Sequence, residues 1–254
     1  MLSVSEIRVT FGGIVALDSV SFDVPRNAIV GLIGPNGAGK TTLFNCISRV
    51  YVPAAGAIAI DGRDLLALPA HRIADAGIGR TFQNLALFRN LSVIDNVRIG
   101  AHSQYPSNFL RDAAGFVLGR ANERRIAETA DAMIDYIGLS AVADRCVADL
   151  PFGTQKRVEI ARALAMNPKL LLLDEPACGL NHEEVEELGQ LIRRLLVERV
   201  QSILLVEHHM SLVMSVCHQV VALNFGRKIA GGTPEVVQRD PDVIAAYLGT
   251  GHGQ

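Results

Sequence analysis

The sequence predicts an α/β fold: a mostly parallel sheet with flanking helices, an antiparallel β subdomain at the N-terminus, and an inserted helical subdomain. Three observations predict it. The runs "AIVGLIG", "KLLLLDE" and "SILLV" are apolar throughout, as in strands buried on both faces of a parallel sheet. Segments with helical spacing alternate with these runs. Between about residues 83 and 167 strand signals fade and helical periodicity takes over. The expected organisation is one domain over residues 1–254, with a core of 1–82 and 168–254 and a helical subdomain of about 83–167.

The opening "LSVSEIRVTFGGIVALDSVSFDVP" shows short apolar alternations broken at Gly12-Gly13 and ended by Pro25, which predicts antiparallel strands joined by a turn. "AIVGLI" is a buried strand, followed by a glycine-rich loop and a helix from about Lys40 to Ser48. "GAIAIDG" is a short strand ending in an Asp-Gly turn. In "NERRIAETADAMIDYIGL", Ile126, Ala130, Met133, Ile134 and Ile137 share one helical face. Arg124, Arg125 and Glu128 lie on the solvated side, and Gly138 is placed to end the helix. After "KLLLLDE", Asn181 caps a helix with Glu184 three residues on, and Val185, Leu188, Leu191, Ile192, Leu195 and Leu196 face inward. "SILLV" is a further buried strand. "HQVVALNFGRKIAGGTP" reads as two strands about a turn near Gly226, before a short helix and a fraying tail, "GTGHGQ".

Composition excludes several classes. The 24 basic and 26 acidic residues nearly cancel, which leaves no electrostatic footprint for nucleic acid. No apolar run approaches the roughly 18–20 residues of a membrane-spanning helix. "MLSVSEIRVT" lacks a basic patch followed by an apolar core, so no secretory signal is expected. Cys46, Cys146, Cys178 and Cys217 are widely spaced and match no metal pattern; reduced thiols are expected.

The chemistry concentrates in "GPNGAGKT", residues 34–41, which satisfies G-x-x-x-x-G-K-[ST] directly after a strand and before a helix. Gly34, Gly37 and Gly39 let the backbone curl until its N–H groups converge on phosphate oxygens. Lys40 brings a charge to the outer phosphates, and the Thr41 hydroxyl can ligate Mg²⁺. A matching acid is expected at the end of a buried strand, and "LLLLDE" supplies it. Asp174 is placed to hold Mg²⁺ through water, and Glu175 to orient or deprotonate an attacking water. This combination points to a P-loop nucleoside triphosphatase.

Further stretches follow in a characteristic order: "RTFQN", "LPFGTQKRVEIARAL", "ACGLN" after Pro176, and "LLVEHH". The order and spacing resemble the ATP-binding subunits of ABC transporters, over essentially the whole chain. The resemblance implies that Phe11 stacks on adenine and that Ala16 and residues 34–42 (Gly34, Pro35, Asn36, Gly37, Ala38, Gly39, Lys40, Thr41 and Thr42) surround ATP. It implies that Gln83 touches Mg²⁺ and the attacking water, and that His208 contacts the γ-phosphate. By themselves, Phe11 reads as a core aromatic and Gln83 as polar surface. "RTFQNLALF", "ACGLNHEEV", "LLVEHHMSLVM" and "GTPEVVQRDPDVIAAYLG" resemble importers of branched-chain and other hydrophobic amino acids. Lipopolysaccharide-export ATPases are the neighbouring branch, and amide or urea transport the other alternative. The implied partners are membrane-embedded permease subunits, a second ATPase subunit (a sister chain or another copy) and, indirectly, an external solute-binding protein. The implied location is peripheral, on the cytoplasmic face of the inner membrane.

The helix start at "LPFGT" aligns with the family's signature, usually Leu-Ser-Gly-Gly-Gln, which covers ATP held by the opposite subunit. Leu150 and Gly153 match; Pro151, Phe152 and Thr154 depart. Pro151 removes a hydroxyl and an N–H from that cap, leaving the Gly153 N–H, the Thr154 hydroxyl and the helix terminus. A weakened rather than abolished cap is expected.

Overall fold

The computed structural model describes residues 1–82, 85–105 and 116–248. The chain divides into two compact units, Met1–Arg80 together with the chain from Lys169 onward, and Thr81–Pro168.

In the first unit, β1 (Leu2–Phe11) and β2 (Ile14–Val24) form a hairpin about Gly12-Gly13, where the alternation breaks. β4 (Ala55–Ile60) pairs antiparallel with the other edge of β1, and the short β5 (Arg63–Asp64) follows it after the Asp61-Gly62 turn. The fully apolar runs become β3 (Ala28–Ile33), β7 (Leu170–Asp174) and β8 (Ser202–Val206), buried at every position. With β6 (Ile78–Arg80), β9 (Gln219–Asn224) and β10 (Arg227–Gly232) they form a second sheet in the order β10-β9-β3-β8-β7-β6. Only the β9–β10 pair is antiparallel. The carboxyl ends of β3, β6, β7, β8 and β9 therefore share one edge, where ligands of such sheets bind.

Helix α1 (Lys40–Ile47) follows β3 and buries Leu43, Phe44, Cys46 and Ile47 in a core built from both sheets. Each fully buried aliphatic or aromatic side chain there contributes about 1.5–3 kcal/mol. On the other side, Ile33, Val213, Val220, Ala222, Val237 and Val243 make a smaller cluster with Tyr247 packed against it.

The second unit holds α2 (Val93–Ala101), α3 (Phe116–Ile137) and α4 (Phe152–Leu164). The expected inner face of α3 is buried from Ile126 to Ile137, Arg124 pairs with Glu128 at 2.8 Å on the exposed side, and Gly138 leaves the helix at φ 78°. Asn96 is fully buried yet satisfied: its carbonyl accepts from the Phe88 amide, and its NH₂ donates to the Phe88 and Ser92 carbonyls. The helix after β7, α5 (His182–Glu198), starts with the expected capping box of Asn181 and Glu184. Its residues Val185, Leu188, Ile192 and Leu195 are buried, whereas Leu191 and Leu196 are only partly covered. Pro151 stands at the N-cap of α4 rather than in its first turn, with its carbonyl accepting from the Gln155 amide at 3.0 Å. The chain ends in α6 (Met210–Val216), α7 (Pro234–Gln238) and α8 (Pro241–Leu248), two short helices closing the fold where one was expected. The tail expected to fray lies outside the described residues.

Close approach of α2 and α4 depends on Gly100, where a Cβ would lie 2.1 Å from the Arg162 carbonyl oxygen. The variant Gly100→Ala must push backbone apart, so it is expected to destabilise the helical unit by about 1–3 kcal/mol. Urea unfolding followed by circular dichroism, with amide exchange in α2, checks this.

Candidate nucleotide site

The loop between β3 and α1 is shaped by its glycines. Gly34 has φ 148°, and a Cβ on it would lie 2.2 Å from the Leu223 carbonyl oxygen, so only glycine fits. Gly37 and Gly39 continue the curl at φ 81° and 103°. Asn36, Gly37 and Thr41 are exposed along the loop, while Ala38 anchors it in the core. Pro35, Gly39 and Thr42 are half-buried. Ala16 sits beside the loop, since its carbonyl oxygen would be 2.9 Å from a Cβ on Gly39. Phe11 is 45% exposed and meets Tyr51 edge-on at 5.1 Å, a surface aromatic rather than a core one.

The Lys40 ammonium is buried and donates to the Gly34 carbonyl at 2.6 Å and the Pro35 carbonyl at 3.0 Å. The loop thus folds over its own cation. Burial lowers the Lys40 pKa, and the fields of Glu175 and Asp174 act against that shift. The three charged groups therefore share one neighbourhood at the carboxyl edge of β3 and β7.

Asp174 closes β7, with its side chain 2% exposed. Glu175 follows at φ 48°, a left-handed backbone that costs about 1–2 kcal/mol in a non-glycine residue. Its amide donates to the Val206 carbonyl at 2.9 Å, and its side chain is 14% exposed. The two acids are thus separated by environment, one enclosed and one at the rim. His208, two residues past the end of β8, is 48% exposed and places Nδ1 3.9 Å from Glu175 Oε2.

Two residues that organise this edge had no such role assigned from the sequence. Glu207 is completely buried. Its Oε1 accepts from the Ala177 amide at 2.7 Å, and its Oε2 accepts from the His208 and His209 amides at 3.1 and 3.2 Å. One carboxylate thereby ties the turn bearing His208 to the segment after Glu175. Together with burial, the same carboxylate pushes the Cys217 thiol up to about 12. Arg80, at the end of β6, donates Nη2 to Asp174 Oδ2 at 2.9 Å and Nη1 to Asn45 and Ser48 at 2.9 Å each. Its guanidinium also lies over the Phe44 ring at 5.5 Å. A basic residue ending a strand beside an acid-ended strand was the only available signal.

In the helical unit, Leu150 is buried, and Gly153 and Thr154 are half-buried in the first turn of α4. Phe152 is 45% exposed with Lys156 Nζ 5.5 Å from its ring. Phe82, Phe88, Leu91 and Ile99 expose apolar surface on the same unit. Gln83 lies outside the described residues. Among the described residues no cluster of three or more His, Cys, Asp or Glu could hold a metal, and no helix is long and apolar enough to cross a membrane.

The ABC transporter family model matches residues 17–178. The chain belongs to the ABC transporter family. A second model, the branched-chain amino acid ATP-binding cassette transporter, matches residues 227–253 of this cassette. The cassette is 42% identical over 249 residues to the high-affinity branched-chain amino acid transport ATP-binding protein BraF of Pseudomonas aeruginosa, covering 98% of each chain. It is 41% identical to LivG of Escherichia coli, another protein of that description, with the same coverage. The lipopolysaccharide export system ATP-binding protein LptB of Haemophilus influenzae is 37% identical, with 92% of this chain and 90% of LptB covered. Among solved structures, the ADP conformation of the ABC cassette MJ1267 superposes with TM-score 0.86 at 28% identity, covering 98% of both chains.

Truncating Arg80 would leave the enclosed Asp174 carboxylate without the guanidinium 2.9 Å from its Oδ2. Arg80→Met is expected to destabilise the cassette by about 3–5 kcal/mol, with Arg80→Lys recovering only part of the loss, as urea titration of both variants would reveal.

Proposed function

We propose that this cassette is the ATP-hydrolysing subunit of an importer for branched-chain or other hydrophobic amino acids. The observation that carries the reading is its full-length likeness to BraF and LivG, extended by the branched-chain cassette match over residues 227–253. It works peripherally, on the cytoplasmic face of the inner membrane. Permease subunits and a second ATPase subunit are its direct partners, and an external solute-binding protein delivers the solute.

ATP lies along the loop of residues 34–42, its adenine on Phe11 and its phosphates on the loop amides and Lys40. The oxygen donors present suit a hard cation: the exposed Thr41 hydroxyl and the Asp174 carboxylate would hold Mg²⁺. When bound, that ion neutralises phosphate charge. Glu175 accepts a proton from water as its oxygen attacks the γ-phosphorus, and the bond to the bridging oxygen breaks to release ADP. Lys40 and His208 stabilise charge on the transferred group. Placing Glu175 at the rim, and Asp174 under the Arg80 guanidinium, suits the first to meet water and the second to stay fixed. Leu150, Gly153 and Thr154 cover the nucleotide of the opposite subunit. The weakened cap at Pro151 makes two unequal sites where the partner is a sister chain. The exposed Phe82, Phe88, Leu91 and Ile99 belong to the surface that meets the permease.

Glu175→Gln, in the assembled transporter, is expected to keep ATP binding while lowering turnover about 100-fold or more. Uptake of labelled leucine into cells should disappear with it. Normal leucine uptake in cells lacking the cassette, accompanied by a defect in lipopolysaccharide transport, would favour the LptB-like reading instead.

A further inference from the structure

Helix α4 carries more than the signature turn. Phe152, Lys156 and Glu159 recur at intervals of four and three residues along one face, and Arg162 follows one turn later. Lys156 and Glu159 are only 3% and 2% exposed, although Lys and Glu rarely enter a core without partners. The partners of Glu159 are informative. Its Oε1 accepts from the Phe82 amide at 2.9 Å, and the nearby Ala86 amide also favours its charged form. Arg162 Nη1 donates to the Ala86 carbonyl. Two neighbouring charges on α4 therefore grip the backbone on both sides of the short stretch that contains Gln83. Burial pushes the Glu159 carboxyl above its ordinary range, while the two amides, Lys156 and Arg162 favour its charged form. No local need of the helix explains this arrangement. An apolar residue at 159 would pack without desolvating a carboxylate, and the acceptors it offers serve the loop.

We propose that Glu159 is a positioning residue which, with Arg162, clamps the backbone at Phe82 and at Ala86 onto α4. Phe82, Ala86 and the signature helix then move as one body, and a displacement of one is a displacement of the others. The consequence for hydrolysis rests on the role that the family resemblance implies for Gln83; the clamp itself does not.

Amide exchange on the full chain tests the clamp. In Glu159→Ala, exchange at Phe82 and Ala86 is expected to accelerate about tenfold or more, as loss of charge-assisted hydrogen bonds demands. Core amides at Val97 and Ile160 should stay unchanged. Glu159→Gln keeps one carbonyl acceptor in the same shape and should give a smaller acceleration, which guards against a variant that merely unfolds. Unchanged exchange at Phe82 and Ala86 in both variants would overturn the clamp. So would equal acceleration throughout the helical unit. In the assembled transporter, Glu159→Gln should lower kcat with little change in the KM for ATP. Combined with Gln83→Ala, it should add nothing further. Multiplying losses would overturn transmission through Gln83. A silent Gln83→Ala would overturn the role given to Gln83 and the hydrolytic consequence with it, while the exchange result would still decide the clamp.

Discussion

Parallel pairing of β3, β8 and β7 is the constraint on which the rest of the first unit depends. In that register Leu32 lies opposite Val206, and Asp174 lies opposite the same residue from the other side. The phosphate-type loop, the paired acids and His208 consequently emerge from adjacent strands along one edge. A side-chain scaffold could not hold them as tightly, because every residue of these three strands is buried and hydrogen-bonded into the sheet. The antiparallel sheet contributes Ala16 beside Gly39 and Phe11 at its margin, so the loop is walled by backbone on a second side.

The enclosed carboxylates set the positions of segments that regular secondary structure does not hold. Asp174 is met by Arg80, Glu207 by three backbone amides, and Glu159 by the backbone flanking Gln83 together with basic neighbours. Each pairs a desolvated anion with donors from a loop or strand end, which is costly unless the geometry is well satisfied. The shared consequence is positional. Arg80 joins the end of β6 to the end of β7, Glu207 joins the turn after β8 to the turn after β7, and Glu159 joins a helix to a loop. Movement in any of these segments strains a hydrogen-bonded charge, giving the fold discrete rather than gradual ways to rearrange.

Much of this was legible in the sequence. The uninterrupted apolar runs identified β3, β7 and β8, since a strand buried on both faces cannot alternate. The capping box at Asn181 and Glu184 and the stop at Gly138 declared themselves through local chemistry. The residues of the phosphate-type loop stood out because three glycines, a lysine and a threonine at fixed spacing have few other uses. What could not be read depended on long-range partners. Arg80 meets Asp174 across 94 positions, and Glu159 meets Phe82 across 77. A buried glutamate on a helix looks, in sequence, like a solvated one. Glu207 was visible only as the neighbour of His208, because its three donors are backbone amides that carry no side-chain signature. Nor does the sequence show that Pro151, with an extended ψ of 149°, stands at the cap of α4.

The central claim is that the loop at residues 34–42, through its amides and Lys40, grips a nucleoside triphosphate. Equilibrium binding of ATP to the purified full chain, wild type beside Lys40→Ala, tests it most directly. The account predicts saturable binding to the wild type and a loss of about tenfold or more in affinity on removing the ammonium. Absence of binding to the wild type, or equal affinity in the two proteins, would contradict it.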